Sequence, residues 1–184
     1  KKKGLEAMGI ASVGPYYELK EILEEKVNKG LVTGMEEPDR EKRINPKLIM
    51  EDAASIKVCA FPYHIEQENE SNISKYCYGL DYHLVIKEKL NNLCEEIKEV
   101  DESFNYKIFA DNGPLVDRYL AYLAGIGYYG INNNLITDKY GSYVFIGYIV
   151  NNYDLEPDNP TSKTCIKCSK FVKYCPGNAL ELNY

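Results

Sequence analysis

Three cysteines near the end of the chain have a spacing that is typical of iron–sulfur proteins. Cys165, Cys168 and Cys175 stand in the segment 165–176, which reads C-I-K-C-S-K-F-V-K-Y-C-P. The bacterial ferredoxin run is C-x2-C-x2-C-x3-C-P, so three of its cysteines and its proline are in register here. Close-set thiolates at this spacing wrap the irons of a 4Fe–4S cluster, and the last cysteine of the run serves a second cluster. The segment therefore predicts an iron–sulfur site with these three cysteines as ligands.

The ligand set of this segment is incomplete, because Phe171 replaces the third cysteine of the run and cannot bind iron. Three explanations stay open: a site that decayed naturally, an altered or shortened chain, or further ligands in a second cysteine run on a longer chain. Zinc is the non-redox alternative, with the same three thiolates and a fourth ligand. The only two histidines, His64 and His83, are far from the segment in sequence.

The other three cysteines are scattered and predict no site of their own. Cys59 lies in an apolar run and Cys94 in an amphipathic helix pattern, so both are predicted to be buried core thiols, and Cys77 receives the same interpretation. Residues 1–6 lack the apolar segment of ~7–15 residues that a secretory signal needs. No stretch approaches the ~20 consecutive apolar residues of a membrane span. We therefore expect a cytoplasmic protein without a disulfide framework.

The composition is that of a folded chain with an acidic balance. Of the 184 residues, 45% are hydrophobic, which is enough for one domain with a core and a small appendage. We expect an α/β domain over residues 1–155 and an incomplete ferredoxin-like segment over residues 156–184. The net charge of −6 at pH 7 argues mildly against a general nucleic-acid binder, since such proteins usually present a basic face. A local basic patch is still compatible with this charge.

Apolar patterns along the chain change between the period of a strand and that of a helix. Strands are predicted over residues 9–13, 55–61, 106–110, 135–137 and 142–150. Helices are predicted over residues 16–28, 46–54, 81–98 and 115–124, with residues 1–8 as the end of an earlier helix. A turn over residues 138–141 predicts that the last two strands form a hairpin. Long loops are expected at 31–45 and 64–75, and a linker at 151–163.

The order of these elements favours an α/β fold with a mixed sheet flanked by helices. Regular alternation of strand and helix is missing, so a parallel doubly wound sheet is less favoured. Residues 125–130 match G-x-G-x-x-G, but the dinucleotide fingerprint requires a strand before the glycines and a helix after them. A helix precedes them here, so we interpret the glycines as a helix end and a turn.

A set of short motifs in a fixed order resembles the epoxyqueuosine reductase family. The segments that carry the likeness are residues 78–83 (YGLDYH), 109–118 (FADNGPLVDR), 124–132 (AGIGYYGIN), 141–143 (GSY) and the cysteine run. The resemblance covers residues 5–180. The ordered set is specific, although no single motif would be.

The resemblance implies a fold, two cofactors and a substrate. The catalytic domain of the family is nitroreductase-like, is related to reductive dehalogenases, and holds cobalamin with its lower base detached. A ferredoxin-like module follows it, and two 4Fe–4S clusters in that module pass electrons to the cobalt. The implied activity is the reduction of epoxyqueuosine to queuosine in tRNA. The implied partners are tRNA and an electron-donor protein, and we expect a monomer.

The resemblance also implies the roles of individual residues. Asp111 matches the family's proton-donating aspartate, and Asp81 matches a second active-site aspartate. The positions implied to contact the cofactor are His83, Gly113, Asn132, Ser142 and Tyr143. A carboxylic acid with a raised pKa in an enclosed pocket is a suitable proton donor to an epoxide oxygen. Simpler roles stay open, namely a turn cap for Asp111 and a helix N-cap for Asp81.

Some positions depart from the family pattern. Ile131 replaces the usual lysine and thereby removes a charge that could face phosphate or corrin side groups, and Tyr128 replaces the usual tryptophan. Together with Phe171, these departures keep a second hypothesis open, in which the chain is a non-catalytic cobalamin-binding or iron–sulfur-binding protein with a decayed cluster site. The neighbouring Asp117 and Arg118 are predicted to form a structural ion pair on a helix surface.

Overall fold

A four-stranded antiparallel sheet forms the centre of the protein. The structure, a computed structural model, describes residues 7–64, 66 and 72–180. The strands of this sheet are Ala7–Ser12 (β1), Ser55–Pro62 (β2), Tyr106–Ala110 (β3) and Val144–Asn151 (β6). A separate hairpin pairs Tyr128–Tyr129 (β4) with Leu135–Ile136 (β5). The order in the main sheet is β1-β2-β6-β3, so the longest strands, β2 and β6, are central.

In the described part of the chain, five α-helices accompany the strands, and local capping explains where two of them begin. The helices are Tyr17–Asn28 (α1), Arg40–Ile44 (α2), Tyr82–Val100 (α3), Asp117–Leu123 (α4) and Lys170–Tyr174 (α5), with 3-10 helices at Pro46–Leu48 and Lys75–Cys77. Asp39 accepts hydrogen bonds from the first backbone amides of α2, and Asp81 accepts one from the His83 amide in α3. Such caps satisfy donors that have no partner within the helix.

The two faces of the sheet carry two separate cores. In β2, Ile56 and Val58 belong to a core that includes residues of α1 and α4, whereas Cys59 and Phe61 belong to a core that includes residues of α3. Successive side chains of a strand point to opposite faces, so helices cover both sides of the sheet. The protein is therefore a three-layer α/β/α structure.

A glycine in β6 allows α3 to pack closely on the sheet. A Cβ atom at Gly147 would lie 2.6 Å from Cγ2 of Ile86, which is one of the buried residues of α3. Gly147 is paired with Ala110 at the end of β3 and with Cys59 of β2. Because α3 lies this close to the end of β3, its N-terminal residues come near the loop that follows β3.

The structure confirms the α/β class, the flanking helices and most of the expected elements. The strand over 106–110 is found as predicted, the strand over 55–61 extends by one residue to Pro62, and the helices over 16–28 and 81–98 differ by at most two residues at their ends. The glycines after α4 do end a helix, since Gly125 has a φ of 66° and a hairpin follows it. These elements carry strong apolar periodicity or a clear cap, which explains why their observed bounds agree with the predicted ones.

Other expectations about the fold were wrong. The sheet is antiparallel at every pairing rather than mixed. Residues 7 and 8 belong to β1 and not to a helix end, while residues 1–6 of that prediction lie outside the described residues. The loop at 31–45 contains α2, and the helix predicted over 46–54 is only a short 3-10 turn. The predicted hairpin of the last two strands forms only at its turn, where Thr137 and Gly141 make an isolated antiparallel bridge. The strands themselves do not pair, because β5 pairs with β4 and β6 joins the main sheet.

The linker at 151–163 is found without helix or strand beyond Asn151, as predicted. Its Asp158 accepts a hydrogen bond of 2.8 Å from the Ile10 amide, and the Asp158 amide donates to the Ile10 carbonyl oxygen, so the linker is attached to β1. The prediction of an exposed loop at 64–75 falls partly on residues 65 and 67–71, which lie outside the described residues. In the described part of the chain, no helix has the length and apolar character required to cross a membrane.

Candidate active site

Asp111 is the first residue after β3, and its side chain projects from a tight turn. Its φ of 62° lies in the left-handed region, which aspartate tolerates better than most residues. Its side chain is 59% exposed. The next backbone amide, that of Asn112, donates to the carbonyl oxygen of Ala110 over 2.7 Å, which closes the turn. The turn therefore presents the carboxylate at the end of β3 in a largely exposed position, and not in the enclosed pocket that was expected for a proton donor.

His83 lies between the two predicted catalytic aspartates. Its Nδ1 atom is 2.8 Å from Oδ1 of Asp81, and its Nε2 atom is 3.3 Å from Oδ2 of Asp111. The hydrogen bonds from His83 hold the pKa of Asp81 below its usual range. A neutral imidazole donates through one nitrogen, whereas the protonated ring donates through both, so protonated His83 would satisfy both carboxylates. Asp81 is thus both a helix cap and a contact of His83.

Tyr82 is the site residue that the sequence analysis missed. Its hydroxyl donates a hydrogen bond of 2.7 Å to Oδ2 of Asp111. Burial, followed by the hydrogen bond to Asp111, raises the pKa of Tyr82 well above its usual range, so the phenol keeps its proton. Tyr82 lies inside the motif at residues 78–83, and membership of that motif is the signal that could have identified it. Neighbouring residues of a helix usually do not share a face, so Tyr82 was not considered together with His83.

Aromatic rings enclose Tyr82 on two sides. Its ring is parallel to that of Phe145 within 4°, with centroids 4.0 Å apart, and it stacks on His83 at the same centroid distance. Phe145 lies in β6, opposite Phe61 of β2. A strand of the sheet and the start of α3 therefore meet at Tyr82.

Asp117 is a second carboxyl group near Asp111. The predicted ion pair between Asp117 and Arg118 is not found. Arg118 instead donates to the carbonyl oxygen of Asn133. Asp117 is half-buried at the start of α4, and burial, together with the negative charge of Asp111, raises its pKa to about 8. At neutral pH this group is therefore mostly protonated.

The loop after Asp111 packs directly on a buried tyrosine of β6. The Leu115 amide donates to the hydroxyl of Tyr148 over 3.3 Å. A Cβ atom at Gly113 would lie 1.9 Å from the same oxygen, so this close approach requires glycine. Gly113 is thus fixed by packing of the loop as well as by its position in the cleft.

Two adjoining cavities reach Asp111 and Gly113. One has a volume of about 540 Å³ and extends toward Leu48. The other, of about 380 Å³, is lined by Tyr82, Asp117, Phe145 and neighbouring residues of β6 and α4. Met35 lines both cavities and is 92% exposed. The predicted proton donor therefore faces a cleft that has both acidic and apolar walls.

An ion-pair cluster fixes the loop that carries Met35. The carboxylate of Glu36 is paired with Lys26 of α1 and, over 2.7 Å, with Arg43 of α2. The hydrogen bond from Lys26 lowers the pKa of Glu36 to about 2 despite partial burial. The loop is thus held at both neighbouring helices directly beside the cleft, although the sequence predicted only a polar loop there.

Of the five predicted cofactor contacts, only Gly113 lines these two cavities; His83, Asn132, Ser142 and Tyr143 do not. Asn132 accepts a hydrogen bond of 3.3 Å from the Asn134 amide and caps the turn between β4 and β5. Ser142 and Tyr143 immediately precede β6, and the ring of Tyr143 contacts those of Tyr63 and His64 at centroid distances of 5.7 and 5.0 Å. The roles predicted for these three residues stay predictions.

The cysteine segment forms a short turn around α5. Cys168 is exposed, while Cys165 and Cys175 are half-buried, and the sulfur of Cys175 accepts a hydrogen bond of 3.4 Å from the Ala179 amide. Within residues 7–64, 66 and 72–180, no three cysteine, histidine or acidic side chains converge as a metal site. Cluster ligation by the three cysteines is thus still a prediction.

The predictions for the remaining cysteines had different outcomes. Cys59 and Cys94 are buried, as predicted, and burial raises their pKa values to about 11 and about 12. Both thiols therefore stay protonated and belong to the core beneath α3. Cys77 is exposed, so its interpretation as a core thiol was wrong. It lies in a 3-10 turn outside the apolar cores.

The family model and the relatives of more than 30% identity point to one family. The family described as "Epoxyqueuosine reductase QueG, DUF1730" matches residues 43–112. An epoxyqueuosine reductase of Bacillus anthracis is 36% identical over 96% of this chain and 49% of its own length. The structure of epoxyqueuosine reductase from Streptococcus thermophilus superimposes with a TM-score of 0.90 at 34% identity, over 98% of this chain and 51% of that one.

A further solved structure has a bound RNA. It is an epoxyqueuosine reductase with an epoxyqueuosine-modified tRNA stem loop, and it matches 97% of this chain and 50% of its own chain with a TM-score of 0.88 at 33% identity. The chain therefore spans about half the length of the relatives that it matches.

Proposed function

The chain belongs to the epoxyqueuosine reductase family, and we propose that it supplies the catalytic domain of an oxidoreductase that reduces epoxyqueuosine to queuosine in tRNA. The observation that carries this proposal is the cluster of Asp81, His83, Tyr82 and Asp111 at the mouth of the cleft. A bound tRNA stem loop in a related enzyme supports tRNA as the substrate. Because the chain spans half of its relatives, the activity is proposed for the whole protein.

The geometry of Asp111 suits a proton donor. Reduction of an epoxide requires electrons at the carbon and a proton at the leaving oxygen, and a positioned carboxylic acid can deliver that proton. The hydrogen bonds recorded for the Asp111 side chain, within the described part of the protein, both involve Oδ2. Oδ1 is then the oxygen that carries the proton to the substrate. Tyr82 and His83 hold the carboxyl group in place through their contacts with Oδ2.

We propose that cobalamin, the cofactor that the family resemblance implies, binds along the open cleft. The feature that supports this proposal is the apolar lining of one cavity, which Val144, Phe145 and Ile146 form together with the exposed Met35. We assign Gly113 to a contact within the cleft, and His83, Asn132, Ser142 and Tyr143 to contacts around it. When bound, cobalamin would supply the electrons for the carbon of the epoxide.

The remaining parts of the proposal concern electron supply and organisation. We assign residues 1–155 to the cobalamin- and substrate-binding domain and residues 156–184 to an iron–sulfur segment with Cys165, Cys168 and Cys175 as ligands. A cubane cluster needs four ligands, so further ligands must come from outside these three. An electron-donor protein would reduce the cluster, and the protein would act as a monomer in the cytoplasm, where tRNA is modified.

A second candidate function is favoured by two substitutions. Relative to the family pattern, Phe171 removes a cluster ligand, and Ile131 removes a charge that could face phosphate or corrin side groups. A chain that binds cobalamin or an iron–sulfur cluster without turnover would tolerate both changes. The two functions differ in whether the epoxide is reduced, and not in whether cobalamin binds.

Cobalamin binding, followed by visible absorbance under anaerobic conditions, tests the proposal first. The expected result is a stable complex with the spectrum of base-off cobalamin. Ser142→Leu should weaken the complex, while Ser162→Leu, at an exposed linker position, should not. Reduction of an epoxyqueuosine-containing tRNA stem loop by the full-length protein then separates the enzyme from the non-catalytic binder. Absence of binding at high cobalamin concentration would overturn the cofactor assignment.

A further inference from the structure

A run of stacked rings connects β6 and β2 to the acid cluster. Phe145 lies in this run between Tyr82, at a centroid distance of 4.0 Å, and Tyr63, at 4.5 Å. The ring of Tyr82 also stacks on that of His83, and the hydroxyl of Tyr82 donates a hydrogen bond to Asp111. The rings thus form a continuous contact between the sheet and both polar groups that touch the Asp111 carboxylate.

We infer that Phe145 is a positioning residue for the proton donor: its ring fixes the plane of Tyr82, and Tyr82 in turn holds Asp111. This inference rests on the proposed function in that Asp111 is taken as the donor. Phe145 itself does not contact Asp111 through any polar group, so it acts through Tyr82. Phe145 lies outside the motifs that carry the family resemblance, two residues after the segment 141–143.

The position of Tyr82 explains why such support is needed. Tyr82 is the first residue of α3 and directly follows the cap Asp81, so the helix continues only on its C-terminal side. Its ring has two rotatable bonds, and a small rotation would move the hydroxyl out of hydrogen-bond range of Asp111, where a distance of 2.7 Å is observed. The ring of Phe145 is parallel within 4°, which leaves the Tyr82 ring one orientation against the sheet.

The sheet makes Phe145 rigid. Phe145 is in the central strand β6 and is paired with Phe61 of β2. Tyr63, just beyond β2, also packs on Phe145, with an angle of 36° between the two rings. Side chains on regular strands hold a functional group more precisely than side chains on loops. Asp111, by contrast, lies on a turn with a positive φ, so its carboxylate depends on partners for its position.

A double-mutant cycle in the full-length protein tests this inference. Phe145→Leu keeps an apolar side chain but removes the flat surface, and we expect kcat to fall about tenfold with KM unchanged. In a Tyr82→Phe background the hydroxyl is already absent, so Phe145→Leu should cost little more. Phe145→Tyr keeps the stack and should restore most of the rate. The matched control is Phe104→Leu, which changes a buried ring that stacks on Tyr106 and should be additive with Tyr82→Phe.

A second readout does not depend on the proposed activity. The chain contains only two histidines, so the ring signals of His83 are assignable by NMR with His64→Gln as a reference. Release of Tyr82 changes the ring current at His83, so Phe145→Leu should shift these signals, while Phe104→Leu should leave them in place. If wild-type protein fails to reduce the epoxide but the shift is seen, the proposed function fails and the positioning role stands.

Three results would overturn the inference. The first is unchanged His83 signals in Phe145→Leu. The second is full additivity of Phe145→Leu with Tyr82→Phe, which is expected of a merely structural residue. The third is a raised KM with unchanged kcat, because that pattern indicates direct contact with the substrate and not positioning of the acid.

Discussion

The hydroxyl of Tyr82 lies 2.7 Å from Oδ2 of Asp111, although the two residues are 29 positions apart in the sequence. Tyr82 begins α3, and Asp111 follows β3. The contact exists because α3 packs on the sheet at Gly147, opposite the end of β3. The Asp111 side chain is therefore fixed by the packing of a helix on a strand and not by its own turn alone.

Replacement of Asp111 by asparagine should abolish most of the activity. Asp111→Asn keeps the shape of the side chain but removes the proton, and the loss of a general acid typically costs about 10²–10⁴-fold in rate. The measurement is single-turnover reduction of the modified tRNA stem loop. Asp154→Asn, at an exposed position of the linker, is the control. A rate within a factor of about two of wild type in Asp111→Asn would reject Asp111 as the donor.

Loss of the Tyr82 hydroxyl should slow the reaction without unfolding the protein. Tyr82→Phe keeps the stack on Phe145 and removes only the bond to Asp111. Hydrogen bonds to charged groups contribute about 1.5–3 kcal/mol, so we expect kcat to fall roughly 10–100-fold. Tyr78→Phe, which loses a long bond of 3.4 Å to the Ile73 carbonyl oxygen, should have little effect. Equal rates in the two variants would contradict the role of Tyr82.

Because of Asp117, the free energy of unfolding should fall as the pH rises. Burial raises its folded-state pKa to about 8, whereas an unfolded aspartate has a pKa of about 3.9. Between these values the folded state retains a proton that the unfolded state releases. The contribution of Asp117 to the free energy of unfolding is therefore complete below the pKa of the unfolded state, and it is lost as the pH rises through the pKa of the folded state.

Asp117→Asn should remove this dependence, because asparagine resembles the protonated acid. Urea unfolding measured between about pH 5 and about pH 8 should show wild type losing stability relative to the variant by up to about 1.4 kcal/mol per pH unit. Asp154→Asn serves as the exposed control. Parallel stability curves for wild type and Asp117→Asn would show that Asp117 is ionised in the folded protein.

Glu36 should stabilise the loop beside the cleft. Its side chain is 19% exposed and binds both Lys26 and Arg43. Glu36→Gln should lower the free energy of unfolding by about 1–3 kcal/mol at neutral pH. The exposed pair of Glu25 and Lys29 offers the control Glu25→Gln, for which the loss should be about 0.5 kcal/mol or less.

The pH dependence of the Glu36 effect has the opposite sign to that of Asp117. The hydrogen bond from Lys26 lowers the folded pKa of Glu36 to about 2. Its contribution is therefore present above the unfolded pKa of about 4.3 and is lost as the pH falls through the folded value. Urea unfolding of wild type and Glu36→Gln should give converging stabilities on acidification. A constant difference across this range would contradict the ion-pair explanation.

Restoration of the missing cysteine should increase iron binding. Phe171→Cys completes the cysteine run of the bacterial ferredoxins with Cys165, Cys168 and Cys175. After anaerobic reconstitution, we expect more bound iron and stronger absorbance of sulfur-to-iron transitions than in wild type. Phe171→Ser, which removes the ring but adds no thiolate, is the control. Iron contents that do not differ among wild type and the two variants would argue that this segment does not take up a cluster.

The amino-acid sequence determined the local parts of this protein. Apolar periodicity predicted β3 and α3 within two residues, and Asp81 was identified as the cap of α3 because capping depends on neighbours in the chain. The pairing of β5 was predicted wrongly, since the same local pattern fits either β4 or β6 as a partner. A choice between partners depends on the whole sheet and not on one segment.

Only the tertiary structure decided how the cluster of Asp81, Tyr82, His83 and Asp111 is assembled. Asp81, His83 and Asp111 were selected from the sequence, but their distances, the participation of Tyr82 and the burial of Asp117 were not. Asp117 was predicted to form a surface ion pair, because the sequence does not show which face of a short helix is covered. These properties arise where distant segments pack together, and packing of α3 and α4 against the sheet fixes both hydrogen-bond geometry and exposure to water.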